Sequence, residues 1–153
     1  MGYIEEVNEA LAAYPPFWQR VGKYHSTESA LDTLQVNIGL KCNLACKHCH
    51  VESSPARTEE MSRETLEQCL AVFCDRGFKT IDITGGAPEM NPNYEWFLRE
   101  AVGAGASVMT RSNLSICKEP GYESIPELWA ELGITVIVIT HNSALAAMAD
   151  RVI

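Results

Sequence analysis

Apolar residues in this chain switch four times between a spacing of two and a spacing of three to four, and that alternation limits the possible folds more than any single residue does. Leu34, Val36, Ile38 and Leu40 alternate with Gln35, Asn37 and Gly39, which predicts a strand. Ser62 can cap a helix whose Leu66, Cys69, Leu70 and Phe73 recur at i, i+3, i+4 and i+7, and Gly77 can end it. Residues 80–84 predict a second strand. Pro92, after Asn91 as cap, opens a helical stripe of Tyr94, Phe97, Leu98, Ala101 and Val102, followed by a third strand over residues 106–110. Ser124 with Glu127 reads as a capping box for Ile125, Leu128, Trp129 and Leu132, and Gly133 separates that helix from the β-branched run 134–139. Strands alternating with helices pair in parallel through right-handed crossovers, because a crossover helix buries its stripe only by packing back on the sheet.

The first two strands place Gln35 and Asn37, then Asp82 and Thr84, on the face opposite their apolar residues. A parallel sheet covered on both faces is apolar throughout, so a polar face argues for a curved sheet lining an interior. The expected fold is therefore α/β, an incomplete parallel (β/α) barrel of about four strand-helix units over residues 34–153. Residues 1–33 are expected to be a helical lead-in, with Ile4, Val7, Leu11 and Tyr14 on one face before Pro15 and Pro16. A wet sheet edge is the alternative reading of the polar face.

Composition narrows the function classes. With 153 residues, 46% hydrophobic, the chain suits one core. A net charge of −8 and the lack of a Lys/Arg run argue against nucleic acid and anionic membranes as partners. No run of 18 apolar residues and no basic-then-apolar leader is found, so a cytoplasmic location is expected, where six cysteines stay reduced and serve metal binding or catalysis before disulfides.

Three of those cysteines, Cys42, Cys46 and Cys49, fall within eight residues directly after the first predicted strand. Three thiolates on one loop can each hold one iron of a cubane cluster, leaving the fourth iron open to a ligand. Zinc held by the same cysteines with His48 or His50 is the rival, though zinc loops favour paired C-x-x-C knuckles and the first spacing here is longer. Cys69, Cys74 and Cys117 read as packing or inert residues.

The spacing C-x-x-x-C-x-x-C after the first strand, with Gly85-Gly86-Ala87-Pro88-Glu89 after the second, resembles the radical S-adenosylmethionine (radical SAM) superfamily. More narrowly, LQVNIGLKCNLACKHCHVESSPARTE, TIDITGGAPEMNP and Thr110-Arg-Ser-Asn-Leu with Glu119-Pro-Gly are similar to its arsenosugar-biosynthesis branch, over about residues 16–138. The resemblance implies that Cys42, Cys46 and Cys49 ligate a 4Fe–4S cluster whose open iron chelates S-adenosylmethionine (SAM), and that reductive cleavage of SAM yields a 5'-deoxyadenosyl radical. It also implies a small-molecule substrate, arsenic-containing in that branch, and a reductant protein. It places Gly85, Gly86 and Ala87 against the SAM amino group, with Pro88 and Glu89 completing the motif. Many members carry the glutamate before the proline, whereas Ala87 stands there and Glu89 follows Pro88. Arg111 and Asn113, at the end of the third strand, are candidates for the SAM carboxylate or the substrate. A non-catalytic iron–sulfur or zinc fragment is the alternative, since the superfamily fold uses about six strand-helix units. Residues 135–153 resemble instead the switch-histidine segment of ABC-transporter ATPases, with His141 as the histidine. The phosphate cradle G-x-x-x-x-G-K-[ST] is missing from the chain, so no ATPase is expected.

Overall fold

The computed structural model describes residues 31–138, with Gln19, Ala147, Ala149 and Asp150 as isolated positions beyond that span. The expected lead-in helix and the segment containing His141 lie outside the described residues.

Within the span the elements alternate as β1 (Thr33–Asn37), α1 (Arg63–Arg76), β2 (Thr80–Thr84), α2 (Tyr94–Gly103), β3 (Ser107–Ser112), α3 (Ile125–Leu132) and β4 (Thr135–Val138). The four strands form one parallel sheet in the order β1-β2-β3-β4. The register places Thr33 beside Thr80, Thr80 beside Ser107 and Met109 beside Thr135. A sheet whose order never reverses is wound in one direction, so successive crossovers stack their helices on one face. The core has that layout: Val36, Ile38, Ile81, Ile83 and Val108 of the sheet pack with Leu66, Phe73, Phe97, Leu98, Ala101, Leu128 and Trp129. The opposite face carries Gln35, Asp82 and Arg111, as the alternation of β1 and β2 predicts for a partial barrel.

Thr110 is fully buried on the helix-facing side, and a relay satisfies it. The Trp129 indole N–H donates to the Tyr94 hydroxyl at 2.8 Å, which donates to Thr110 Oγ1 at 3.0 Å. The relay ties α3 to α2 and α2 to β3, and burial raises the Tyr94 phenol's proton affinity.

Local signals held at some helix ends and not at others. The Ser62 hydroxyl accepts the Thr65 N–H at 3.3 Å, a cap contributing about 1 kcal/mol, and Gly77 and Gly133 end α1 and α3 in the left-handed region. Ser124 makes no side-chain cap bond, because its own backbone is already helical (ψ −1°) where a capping serine needs an extended one. Asn91 does not cap α2, which starts at Tyr94. A short 3-10 turn over Pro88–Met90 intervenes, and the Asn91 amide instead donates to the carbonyls of Ile38 (2.8 Å) and Met61 (3.0 Å). That side chain pins the exit of β1 to the approach of α1.

Candidate cluster and cofactor site

Where β1 and β2 end, their loops continue side by side as backbone against backbone. The Ile38 N–H donates to Thr84 at 3.0 Å, Gly86 to Gly39 at 2.9 Å, and Ala87 to Lys41 at 2.9 Å. This zip brings the double-glycine loop directly against the start of the cysteine loop. A Cβ on Gly85 would lie 2.6 Å from the Gly39 carbonyl oxygen. One on Gly86 would collide with the carbonyl oxygens of Lys41 and Leu40. The glycines are thus required by the chain's own backbone, before any ligand is considered.

The cysteine loop is held at both ends. Leu40 N–H donates to Glu59 (2.9 Å) and Cys42 N–H to Ser54 (3.2 Å), while Cys49 N–H to Cys46 and Glu52 N–H to Cys49, both 3.1 Å, fold the segment between. Cys42 is buried, Cys49 half-buried and Cys46 exposed. Backbone N–H groups already point at two sulfurs: Leu44 at Cys42 Sγ and Ser53 at Cys49 Sγ, each at 3.4 Å. Those of Ser53 and its neighbours lower the Cys49 thiol's proton affinity, whereas burial, with Cys46 and Cys49 nearby, raises that of Cys42.

The donor set fits a cubane better than a single ion. Among the described residues, no three His, Cys, Asp or Glu side chains are grouped as one metal ion requires, yet the three thiols sit near enough to interact electrostatically. A cubane takes each thiolate on a different iron and is stabilised by N–H donors to sulfur, both of which this loop offers. His48 and His50 lie exposed on the same loop.

Beyond β3 the chain turns back onto the cysteine loop. Asn113 Nδ2 donates to Asn43 Oδ1 at 2.9 Å and reaches Cys42 Sγ at 3.7 Å, Asn43 Nδ2 donates to Ser115 Oγ at 2.9 Å, and Ser115 Oγ donates to Asn113 Oδ1 at 2.9 Å. Cys42, Ala87 and Ile116 are buried together beneath these contacts. Asn43 and Ser115 carry no sequence signal of their own, since an asparagine between two cysteines and a serine after a strand are both commonplace.

Three expected site elements therefore meet: the cysteines, the glycine loop and Asn113. Arg111 and Glu89 are engaged elsewhere. The Arg111 guanidinium forks onto Asp82 through Nε (3.1 Å) and Nη2 (2.7 Å), and Gln35 adds a bond to Asp82 at 2.7 Å. Arg111 thereby holds the Asp82 carboxyl below its ordinary range despite burial. The Glu89 side chain turns inward beside Ser112, Tyr94 and Cys117. Both its oxygens are sealed from solvent without a well-formed hydrogen bond, and burial raises its proton affinity, with the Ser112 hydroxyl offsetting part.

That burial predicts a pH dependence. Because folded Glu89 keeps its proton where the unfolded chain has lost it, the contribution of Glu89 to stability falls as pH rises from about 4.5 through the raised value and changes no further above it. Glu89→Gln should remove that slope and stabilise the protein by about 1–3 kcal/mol at pH 7, read by urea melts across pH. An unchanged slope would mean the acid is already paired.

Similarity to known proteins identifies the family. The Radical SAM superfamily profile matches residues 36–147, most of the chain. The chain belongs to the radical SAM superfamily. Its cofactors are those of the superfamily, a 4Fe–4S cluster and SAM. The antilisterial bacteriocin subtilosin biosynthesis protein AlbA of Bacillus subtilis is 31% identical over 86 residues, covering 51% of this chain and 19% of AlbA. A GTP 3',8-cyclase of Chlorobaculum tepidum is 27% identical over 71 residues, covering 46% of this chain and 22% of the cyclase. The matched region thus spans about a fifth of these relatives. Among solved structures, Streptococcus suis SuiB bound to S-adenosylmethionine superposes with a TM-score of 0.61 at 18% identity, over 93% of this chain and 36% of SuiB, a likeness of fold. The superfamily match extends to residue 147 and so includes His141. Among the described residues no helix is long and apolar enough to cross a membrane.

Proposed function

We propose that this chain carries the cluster- and cofactor-binding part of a radical SAM enzyme, with residues 34–153 as its partial barrel. Cys42, Cys46 and Cys49 would ligate three irons of the 4Fe–4S cluster, and the loop from Gly85 to Glu89 would lie against SAM. The observation that supports this reading is the backbone zip from Ile38 to Ala87, which holds the double glycine against the start of the cysteine loop at the carboxyl ends of adjacent parallel strands, where ligands of such sheets bind. When bound, the cluster would supply the electron for reductive cleavage of SAM.

The chain's own residues position and shield. Among the described residues no N–H donates to the carbonyls of Gly85 and Gly86, so both are available to accept from the SAM ammonium, whereas the Ala87 carbonyl is taken by Met90 N–H at 2.9 Å. Pro88 starts the short turn that closes this loop, and Glu89 contributes through that turn while its carboxyl stays inside. Arg111 keeps Nη1 outside its pair with Asp82, suited to a ligand carboxylate. The Asn113 amide is spent on Asn43, Ser115 and Cys42, which moves it from ligand contact to support of the cysteine loop.

The segments shared with the arsenosugar branch support a finer reading: a cytoplasmic enzyme acting on an arsenic-containing small molecule with electrons from a reductant protein. Anaerobic reconstitution tests the core of it. About four irons with matching sulfide, followed by release of 5'-deoxyadenosine on adding SAM and dithionite, is the expected result. One zinc without sulfide would overturn the cluster, and a full cluster without 5'-deoxyadenosine would leave the metal-binding fragment as the function.

A further inference from the structure

We propose that Asn43, Asn113 and Ser115 form a closed hydrogen-bonded ring that positions the cysteine loop, and that through it Asn113 donates to the Cys42 thiolate and raises the reduction potential of the bound cluster. The inference rests on the cluster reading and adds to it a positioning residue from outside the cysteine motif.

The chemistry of the ring fixes its direction. The Ile116 backbone N–H, which can only donate, lies 3.2 Å from one terminal atom of the Asn113 side chain, so that atom is Oδ1. The amide NH2 then faces Asn43 Oδ1 at 2.9 Å and Cys42 Sγ at 3.7 Å. With its oxygen receiving from Asn113, Asn43 presents its own NH2 to Ser115 Oγ at 2.9 Å, and the Ser115 proton closes the circuit on Asn113 Oδ1, also at 2.9 Å. Each of the three residues donates once and accepts once around the ring, so none can rotate without breaking two bonds. Two of the ring's bonds link positions 70 and 72 residues apart in sequence, fastening the turn after β3 to the residue following Cys42. Leu44 N–H reaches the same sulfur from within the loop at 3.4 Å, so Cys42 has two donors aimed at it, one local and one delivered by the ring.

Adding an electron increases the negative charge on the ligating sulfurs. A fixed N–H dipole favours the reduced form, and its loss lowers the potential. Asn113→Asp separates this role from plain structural support. The aspartate keeps an oxygen for Ile116 N–H and Ser115, so the turn stays capped, but it replaces the donor facing Cys42 with an anion.

In the 153-residue chain, reconstituted anaerobically and titrated by electron paramagnetic resonance, Asn113→Asp and Asn113→Ala should lower the equilibrium constant for reduction at least tenfold. For a one-electron couple that is a shift of about 59 mV to more negative potential. Iron and sulfide should stay near wild type in Asn113→Ala. Clusters that titrate with the wild type in both variants would overturn the redox role. The ring itself is read in the metal-free protein: Asn43→Ala and Asn113→Ala should each lower the melting temperature, and the double variant should melt little below the worse single one. Strictly additive shifts would overturn the ring. A wild-type protein that takes up no cluster would sink the cluster reading and the redox role with it, while the melting cycle would still decide the ring.

Discussion

Gly86→Ala should lower stability by about 3 kcal/mol and strip most of the cluster after reconstitution, although it adds one methyl group. The added carbon would collide with the carbonyl oxygens of Lys41 and Leu40, the latter 2.8 Å away. Neither is the free end of a side chain. Both belong to the strap leading into Cys42, so relief requires moving the cysteine loop itself. Separation would also break the Gly86 to Gly39 and Ala87 to Lys41 hydrogen bonds, each contributing about 0.5–1.5 kcal/mol. Gly103→Ala is the internal contrast: a Cβ there meets nothing within 4 Å, at the last residue of α2. It should stabilise by about 0.5–1 kcal/mol through the unfolded chain's lost freedom. Urea melts of the metal-free variants give both signs. Equal melting of Gly86→Ala and wild type would show that the zip between the two loops is not part of the fold.

The contrast also explains why the double glycine could be found in the sequence but its reason could not. A motif search marks Gly85 and Gly86 as ligand-facing, and close approach to a ligand is one ground for glycine. The structure supplies a prior ground, the contact of two loop backbones, which depends on a register of parallel strands that no local pattern encodes. The sheet was legible for a related reason. Residues 80–84 alternate strongly enough to fix β2 at both ends, because Ile81 and Ile83 face the helices and Asp82 does not. β3 is displaced from its expected 106–110 to Ser107–Ser112, since Arg111 and Ser112 pair with Ile137 and Val138 and their polarity concealed the strand.

Capping errors have the same origin. Ser62 caps as expected, its other hydroxyl contact being Thr65 Oγ1 (3.2 Å) in the same turn, whereas Asn91 is drawn off by two carbonyls from distant segments, one of them 53 residues away in sequence. Long-range partners override local propensity when they satisfy buried groups that would otherwise go unpaired. Asn43, Ser115 and the Asp82–Arg111–Gln35 cluster are invisible in the sequence on the same account, since the bonds that bring Asn43 to Asn113 and Ser115, and Asp82 to Arg111 and Gln35, join residues at least 29 positions apart.

Cys46→Ala is the second variant with a large expected effect, and it is the cysteine replacement that isolates ligation from folding. Cys42 is buried with Ala87 and Ile116 and receives N–H groups from Leu44 and Asn113, so its removal would disturb packing as well as chemistry. Cys49 accepts from Ser53. Cys46 is exposed, and its backbone carbonyl, which accepts Cys49 N–H at 3.1 Å, is retained by alanine. The metal-free variant should therefore melt within about 0.5 kcal/mol of wild type, as exposed substitutions do. Cluster content should nonetheless fall to near zero, because two thiolates leave two irons of the cubane without protein ligands. Cys74→Ala, equally exposed but on α1, should retain full iron and sulfide. Iron loss in both variants alike would point to non-specific thiol binding. Full cluster in Cys46→Ala would show that another group supplies the third ligand.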